Sequence, residues 1–479
     1  MDFQGIKMAD KDRRQLVIVG AGPGGYAAAF TAAALGLQVT LIDREPNPGG
    51  VCLYRGCIPA KSLLHVAKVM ADAQRAKDWG VEFKNPTINV EKLRAWKNDV
   101  IARLTKGLGL LAKQRKVEYI QGEAVFVNSN TVRVKRKRAG TEEISFERGL
   151  VATGSFPASL PVIPDNAPQL MYSDQALELQ DIPKSLLVVG GGYIGLEQAD
   201  VYTRFGSKVS VVEMTGQLMP GGDPELVAIL HKQFEKRFAS IMLNTRVAEA
   251  KVQKNGLKVR FEGENVAKKE ATYEKVLVAV GRRPNSAGVG LENTKVQLDE
   301  KGYVKVDNQC RTDDPSLLAV GDVTRGLQLA HKANHQGIVA AEVAAGRNAV
   351  FEPRAIPFVE YTDPELAECG LSEAQAKAQN IPYKVARFPW QASGRALTLG
   401  EDVGLTKLII DPDSERILGV GIVGTNAGEV IPEAVLAMEM AATATDVAMT
   451  IHPHPSLSET FMEAAARYLN RSIHIGPAR

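Results

Sequence analysis

Cysteine is scarce in this chain. Its 479 residues include four, Cys52, Cys57, Cys310 and Cys369, too few for a secreted scaffold held together by disulfides. Charge of one sign is also missing: 58 Lys and Arg stand against 55 Asp and Glu, so no long-range field gathers polyanions and nucleic acid is not an expected partner. No apolar run approaches the roughly 20 residues that span a bilayer, and no membrane or metal partner is expected. Residues 1–15 lack the apolar core of a secretory signal, while Asp2, Asp10 and Asp12 are unlike an acid-poor transit peptide. A cytoplasmic location is therefore expected. A composition of 45% hydrophobic and 24% charged residues is ordinary for globular protein, and the length allows three or four packed units.

Glycine, in contrast, occurs in two ordered turns. An apolar run at 16–19 meets Gly20-Ala21-Gly22-Pro23-Gly24-Gly25, an Ala-rich stretch follows at 26–35, and 38–43 predicts a second strand. The order recurs with a run at 185–189, then Gly190-Gly191-Gly192-Tyr193-Ile194-Gly195, a helix to about 205 and a strand at 208–213. One such match is weak, because glycine turns between strand and helix are common. Here each copy follows a strand, opens a helix, and has an acid, Asp43 or Glu213, eighteen residues after its last glycine. That predicts two dinucleotide-binding units. Their glycines let the backbone approach a pyrophosphate at the helix N-terminus, and their acids accept from ribose hydroxyls.

Residues 65–77 and 89–113 carry apolar residues at helical spacing, and 117–150 reads as a small antiparallel meander. The basic run at 132–138 falls in that meander, as a solvated hairpin rather than a localisation signal. A helix at 224–238 and strands around 247–261 and 276–280 follow, with Arg282-Arg283-Pro284-Asn285 ending the second unit. From about 353 the pattern changes to strands near 356–361, 383–389, 405–410 and 417–423, then helices from 429 and 458. This is an α+β module appended to the α/β units.

Cys52 and Cys57 lie five residues apart. A regular helix would hold their Cα atoms roughly 8–9 Å apart, whereas a disulfide needs less than about 7 Å. A bond between them therefore requires a distorted backbone, which Gly56 and Pro59 permit or enforce, and a strained bridge is the reducible kind. Two buried thiols acting as small apolar side chains are the alternative. The pair, however, follows the first glycine unit by nine residues, near the strand ends where ligands of such sheets bind.

The stretch Gly49-Gly50-Val51-Cys52-Leu53-Tyr54-Arg55-Gly56-Cys57-Ile58-Pro59-Ala60-Lys61 resembles the redox-active signature of pyridine nucleotide-disulfide oxidoreductases that carry their cysteines in the first, flavin-binding unit. The Ile58-Pro59 step is similar to the branch that oxidises dihydrolipoamide. The resemblance runs from 16 to 466 and includes Ala152-Thr153-Gly154, Gly195-Leu196-Glu197, Ala319-Val320-Gly321-Asp322 and Ala330-His331-Lys332-Ala333. It implies an α/β fold: an FAD-binding domain at 1–153, completed by 282–352, an NAD-binding domain at 154–281, and a C-terminal α+β dimerisation domain at 353–479.

The resemblance also implies site residues. Gly20, Gly22, Gly25, Asp43, Gly154, Asp322 and Ala330 would hold FAD, with Asp322 on the ribitol and the Ala330 backbone near the isoalloxazine. Lys61 would lie at flavin N5, paired with Glu197, since a buried lysine needs a carboxylate. Gly190, Gly192, Gly195, Glu213 and Gly281 would hold the nicotinamide nucleotide. NAD is expected over NADP, because Glu213 would repel a 2′-phosphate and 214–219 contains no basic residue to receive one. Tyr193 would cover the nicotinamide pocket or serve packing.

Thiol exchange needs a base of near-neutral pKa oriented by a carboxylate, and His454 and Glu459 match the family's base and its partner. His452 and His331 are expected to be structural; His65, His231, His335 and His474 receive no role. Family members place the base against the cysteines of the other subunit, so a homodimer is implied. The implied activity is dihydrolipoamide oxidation through Cys52, Cys57 and FAD to NAD, as a dihydrolipoamide:NAD oxidoreductase. Its substrate would arrive on lipoyl domains of a 2-oxo acid dehydrogenase acyltransferase core or on the lipoylated carrier of glycine cleavage. A reductase of another small disulfide, such as glutathione disulfide, would normally use NADPH, against Glu213. Mercuric reduction would want a second C-terminal cysteine pair, and a non-catalytic scaffold subunit would not need the intact Cys52, Cys57, Lys61, His454 and Glu459. Tyr54-Arg55 replaces a typical Asn-Val and Ala60 a typical Ser or Thr. Arg55, if it faces Cys57, is expected to favour its thiolate.

Overall fold

Short apolar runs bounded by glycine become the central strands of parallel sheets, since a strand covered on both faces needs apolar residues throughout. The computed structural model describes residues 14–84, 86–136, 140–264 and 268–476. The chain divides into two units. The first combines the chain up to Pro59 with Glu91–Ala158 and Arg282–Glu352; the second combines Ala60–Val90, Ser159–Gly281 and the chain from Pro353.

In the first unit the strand Arg14–Val19, buried over its last four residues, is the centre of a parallel sheet. Val39–Asp43 and then Glu118–Asn128 lie on one side, Gly140–Val151 and Leu317–Ala319 on the other. Helix Pro23–Ala34 follows the first glycine turn and packs on helix Ala330–Ala344. A Cβ on Gly337 would stand 2.3 Å from the Gly24 carbonyl oxygen, so these helices meet backbone to backbone. The meander expected at 117–150 is present but is not a separate element. Its outer strands, 11 and 12 residues long, belong to the parallel sheet and also pair antiparallel with Thr131–Arg136. Two basic residues of the middle strand pair with acids, Arg133 with Glu143 and Arg136 with Glu142. Lys137 and Arg138 lie outside the described residues.

The second unit repeats the plan. Ser240–Met242, Lys208–Val212, Ser185–Val189, Lys275–Val278 and Leu170–Met171 form a parallel sheet in that order. Helix Tyr193–Arg204 follows the second glycine turn, and Thr245–Gln253, Gly256–Gly263 and Glu270–Tyr273 make a separate antiparallel meander. The same unit contains an antiparallel sheet ordered Phe358–Glu360, Glu365–Gly370, Ile417–Gly424, Leu405–Ile410, Lys384–Pro389. Its core includes Phe388, Trp390 and Phe461 under helices Ala427–Glu439 and Glu459–Tyr468.

Sequence patterning misses the strand Glu365–Gly370, because Glu365 and Glu368 interrupt its apolar run. Both side chains are half-buried and accept from Gly428 and Asp223 N–H groups, and desolvation pushes their carboxyls up to about 7. It also misses helices Glu373–Ala378, Gly394–Leu399 and Ala444–Met449, which are too short for periodicity and are set by the caps Ser372, Ser393 and Thr443. Among the described residues no helix is long and apolar enough to cross a membrane.

One charge cluster ties the antiparallel sheet to helix Pro224–Glu235. The Lys407 side chain, 3% exposed, bonds Asp223 at 2.7 Å and Glu225 at 2.9 Å and also pairs with Glu373. Removing the cation leaves the buried Asp223 carboxylate uncompensated, while the part-exposed Glu225 and Glu373 keep Arg387. Lys407→Met is expected to lower stability by about 3–5 kcal/mol, measured by denaturant unfolding; a loss under about 1 kcal/mol would mean the cluster behaves as a surface pair.

Candidate functional site

The two glycine turns are built alike. At the first glycine a Cβ would strike the neighbouring strand end, 2.2 Å from the Ala152 oxygen at Gly20 and 2.4 Å from the Ala279 oxygen at Gly190. At the third it would strike the turn itself, 1.8 Å from the Gly20 oxygen at Gly25 and 2.2 Å from the Gly190 oxygen at Gly195. The middle glycines, Gly22 and Gly192, are helix N-caps without side-chain capping, and a Cβ on Gly192 would meet no protein atom within 4 Å. Packing therefore explains the outer glycines and leaves the middle ones to a ligand that approaches the helix N-terminus, the position a pyrophosphate takes. The turns fit dinucleotides.

The acids close the same turns. Asp43 accepts from Ala21 N–H at 2.6 Å and from Glu45 N–H at 2.9 Å; Glu213 accepts from Gly191 N–H and Thr215 N–H, both at 2.8 Å. Each carboxylate is thus fixed by its own glycine turn. Each oxygen keeps lone-pair capacity for a further donor such as a ribose hydroxyl. The carboxylates' role in ordering the turn itself is not evident from motif spacing.

The cysteine segment is fastened to the first turn. Gly49 N–H donates to the Ala21 carbonyl at 2.8 Å, and a Cβ on Gly50 would lie 2.4 Å from Gly22 Cα. Helix Gly50–Arg55 ends at Gly56 and a new helix, Cys57–Arg75, begins at once. Gly56 is close-packed, since a Cβ would sit 3.0 Å from the Val51 oxygen. The break supplies the distortion that the spacing requires: the sulfurs of Cys52 and Cys57 stand 2.7 Å apart. Cys57 opens its helix, the end at which the helix dipole favours an anion, and Pro59 is tolerated in that first turn. Sequence reasoning did not single out Tyr26, which faces the pair. Burial, then Cys52 and Cys57, push its phenol up to about 12, so it remains a neutral hydrogen-bond donor.

The atypical residues between the cysteines turn toward the loop after Val39–Asp43. Tyr54 Oη donates to the Asn47 carbonyl at 3.1 Å, and Arg55 pairs with Glu45 at 2.5 Å. Glu45 therefore meets the Arg55 charge, a different contact from the one on which an effect of Arg55 on Cys57 is conditional. Ala60 is buried.

Lys61 and Glu197 come together: Nζ lies 2.6 Å from Oε1, Tyr361 N–H donates to the same oxygen at 3.3 Å, and the Tyr361 ring lies 4.4 Å from Nζ. In the first unit Ser155 Oγ donates to Asp322 at 2.6 Å and is held by Arg282. Ala330 opens its helix without a side-chain cap, and first-turn N–H groups have no intrahelical partner. Gly154 accepts from Asn285 N–H at 2.8 Å, Gly281 precedes strand Arg282–Pro284, and the Tyr193 ring packs edge-on against Phe358.

His454 Nδ1 lies 2.9 Å from Glu459 Oε1, and Ser456 N–H donates to Oε2 at 2.7 Å. Partial burial disfavours the Glu459 anion, but these two contacts hold its carboxyl below the usual range. The imidazole is 69% exposed, an oriented base open to solvent. His452, by contrast, bridges Thr450 and Glu433, and His474 pairs with Glu463. Cys310 and Cys369 are buried, and burial pushes both thiols up to about 12. Among the described residues no group of three or more His, Cys, Asp or Glu is placed to hold a metal.

Duplicated glycine turns, with a cysteine pair fastened to one of them, define a dinucleotide-linked dithiol protein. Residues 14–337 match the model of the pyridine nucleotide-disulphide oxidoreductases and 356–465 that of their dimerisation domain; the chain belongs to this family. It is 44% identical over 458 residues to the dihydrolipoyl dehydrogenase of Vibrio cholerae, covering 96% of each chain. It is 41% identical over 462 residues to that of Geobacillus stearothermophilus, covering 96% of this chain and 97% of the relative. Its fold is similar to the crystal structure of LpdA from Mycobacterium tuberculosis, with TM-score 0.87, 27% identity, and coverage of 95% and 99%. It is also similar to RclA from Escherichia coli, an HOCl-induced flavoprotein disulfide reductase, with TM-score 0.84, 27% identity, and coverage of 94% and 99%.

Because Glu45 holds Arg55, Arg55→Val is expected to leave the titration of the reduced cysteine pair in place, followed by thiolate ultraviolet absorbance. A displacement of about one pH unit would show that Arg55 acts on the sulfur after all.

Proposed function

We propose that this protein oxidises dihydrolipoyl groups, passing electrons through Cys52 and Cys57 and FAD to NAD. The observation that carries the reading is the cysteine pair, sulfurs 2.7 Å apart, on a segment bonded to the first glycine turn. Relatives named dihydrolipoyl dehydrogenase that match over nearly the whole chain support the choice of substrate. Glu213 and the absence of Lys or Arg from 214–219 favour NAD over NADP.

His454, oriented by Glu459, takes a proton from one substrate thiol. The thiolate attacks Cys52 of the Cys52–Cys57 disulfide, forming a mixed disulfide and expelling Cys57 as a thiolate. The second substrate thiol, once deprotonated, attacks its own linked sulfur. Cyclic lipoamide leaves, and the electron pair stays on the reduced cysteines. Helix Cys57–Arg75 stabilises the Cys57 anion at its N-terminus, and Tyr26 can donate to a sulfur. Bound FAD would supply the two-electron acceptor that restores the disulfide and the hydride for NAD. The first glycine turn, Asp43, Asp322, Gly154 and Ala330 would hold it, with the Lys61–Glu197 pair at its reactive edge; Gly190, Gly192, Gly195, Glu213 and Gly281 would hold the nucleotide.

The protein acts as a homodimer in which His454 of one chain serves the cysteines of the other. The dimerisation-domain match at 356–465 supports this, as do Leu436, Met440, Met449 and Ile451, large apolar residues exposed on the isolated chain. Its substrate arrives on lipoyl domains of a 2-oxo acid dehydrogenase core or on the lipoylated carrier of glycine cleavage.

Purified protein is expected to reduce NAD with dihydrolipoamide and not to reduce glutathione disulfide with NADPH; the opposite pattern would overturn the assignment. Cys52→Ser should abolish turnover. His454→Gln should slow it on the order of 10²–10⁴-fold, and loss below about tenfold would remove His454 as the base.

A further inference from the structure

Glu360 ends strand Phe358–Glu360 and is 0% exposed, yet among the described residues neither of its carboxyl oxygens has a hydrogen-bond partner. Its surroundings are charged. Glu197 and Asp200 face it from helix Tyr193–Arg204 and Lys61 from helix Cys57–Arg75. Asp200 is itself met by Arg204 at 3.2 Å and Arg237 at 2.8 Å, and Asp363 by Arg204 at 2.7 Å and Lys68 at 3.7 Å. Glu365 stands on the paired strand, and Glu429 on helix Ala427–Glu439, which packs against the strand of Glu360. The next residue, Tyr361, donates its N–H to Glu197 and sets its ring against Lys61.

A buried carboxylate with no donor costs several kcal/mol, and Lys61 already answers Glu197. Burial first, then the Glu197 charge, push the Glu360 carboxyl well above its usual range, against the pull of Lys61. For packing alone an apolar or amide side chain would serve better. The carboxyl's distinctive property at this position is that it can gain or lose a proton.

We propose that Glu360 is a positioning residue for the Lys61–Glu197 pair, carried as a neutral acid so that Lys61 answers one carboxylate, and that its ionisation turns the triad from neutral to negative. This rests on the reading in which Lys61 presents its charge to FAD. Ionisation of Glu360 offsets that charge, disfavours transfer of electrons toward the cofactor, and so sets an alkaline limit on turnover. The sign is fixed by an acid whose pKa is raised: the favourable neutral form is present at low pH and is lost as pH rises through the raised value.

Infrared difference spectra of the flavin-loaded protein between about pH 5 and about pH 10 test the inference without turnover. A carbonyl band of a protonated carboxyl is expected at neutral pH, absent from Glu360→Gln and fading in the wild type on alkalinisation. Dihydrolipoamide oxidation by the wild type should fall roughly tenfold over the same alkaline interval, and Glu360→Gln should lack that fall. No band at neutral pH, or the same alkaline fall in both proteins, overturns the inference. Should Glu360→Gln fail to fold, Glu360→Asp replaces it: the band is expected to move to that of an aspartic acid and the alkaline fall to shift with it, and an unchanged band and fall overturn the inference. A band without any dihydrolipoamide turnover overturns the proposed function and not the protonation of Glu360. Turnover without the band overturns this inference alone.

Discussion

The hydrogen bond from Gly49 N–H to the Ala21 carbonyl, with Gly50 pressed on Gly22, is the constraint on which the chemistry depends. It joins the cysteine segment to the first dinucleotide turn through backbone alone, at a separation that no side chain on Gly50 could share. A neighbouring bond of the same turn, from Ala21 N–H to Asp43, fixes the second strand to the same loop. The first glycine turn and the sulfur pair are therefore joined through backbone, and the break at Gly56 sets the sulfurs facing one another. Catalysis by alignment requires this sort of pre-organisation, because the cost of ordering the groups is met in folding.

Electrostatics then assigns unequal roles to similar residues. Asp43 and Glu213 accept backbone N–H groups of the turns they serve, and Glu459, which accepts from Ser456 N–H beside His454, is held below the usual carboxylate range against partial burial. Glu360 has no such donor among the described residues, and burial pushes its carboxyl well above the usual range. The cysteines divide in the same way. Cys310 and Cys369, buried and pushed toward the neutral thiol, are inert, whereas Cys57 opens a helix. The balance of burial against backbone N–H groups and neighbouring charges, more than residue type, separates these groups.

The sequence is most legible where backbone constraint forces composition. Both glycine turns, their strands and their acids stand where the spacing puts them, because a Cβ at Gly25 or Gly195 would overlap a carbonyl. Gly56 likewise announces the break between the cysteines. Side-chain direction is less legible. Spacing places Arg55 between Cys52 and Cys57 but does not reveal that Glu45, ten residues earlier, takes its charge. The strand Glu365–Gly370 escapes detection because its half-buried acids imitate a surface segment, and Glu360 looks like one more exposed acid until its burial is known.

The central claim, that the cysteine pair and a flavin form one redox unit, is tested most directly by anaerobic reductive titration of the flavin-loaded protein. The wild type should take up twice the electrons that its flavin alone can hold, and a Cys52→Ser, Cys57→Ser double variant only the flavin's share. Equal uptake by both proteins would contradict the account.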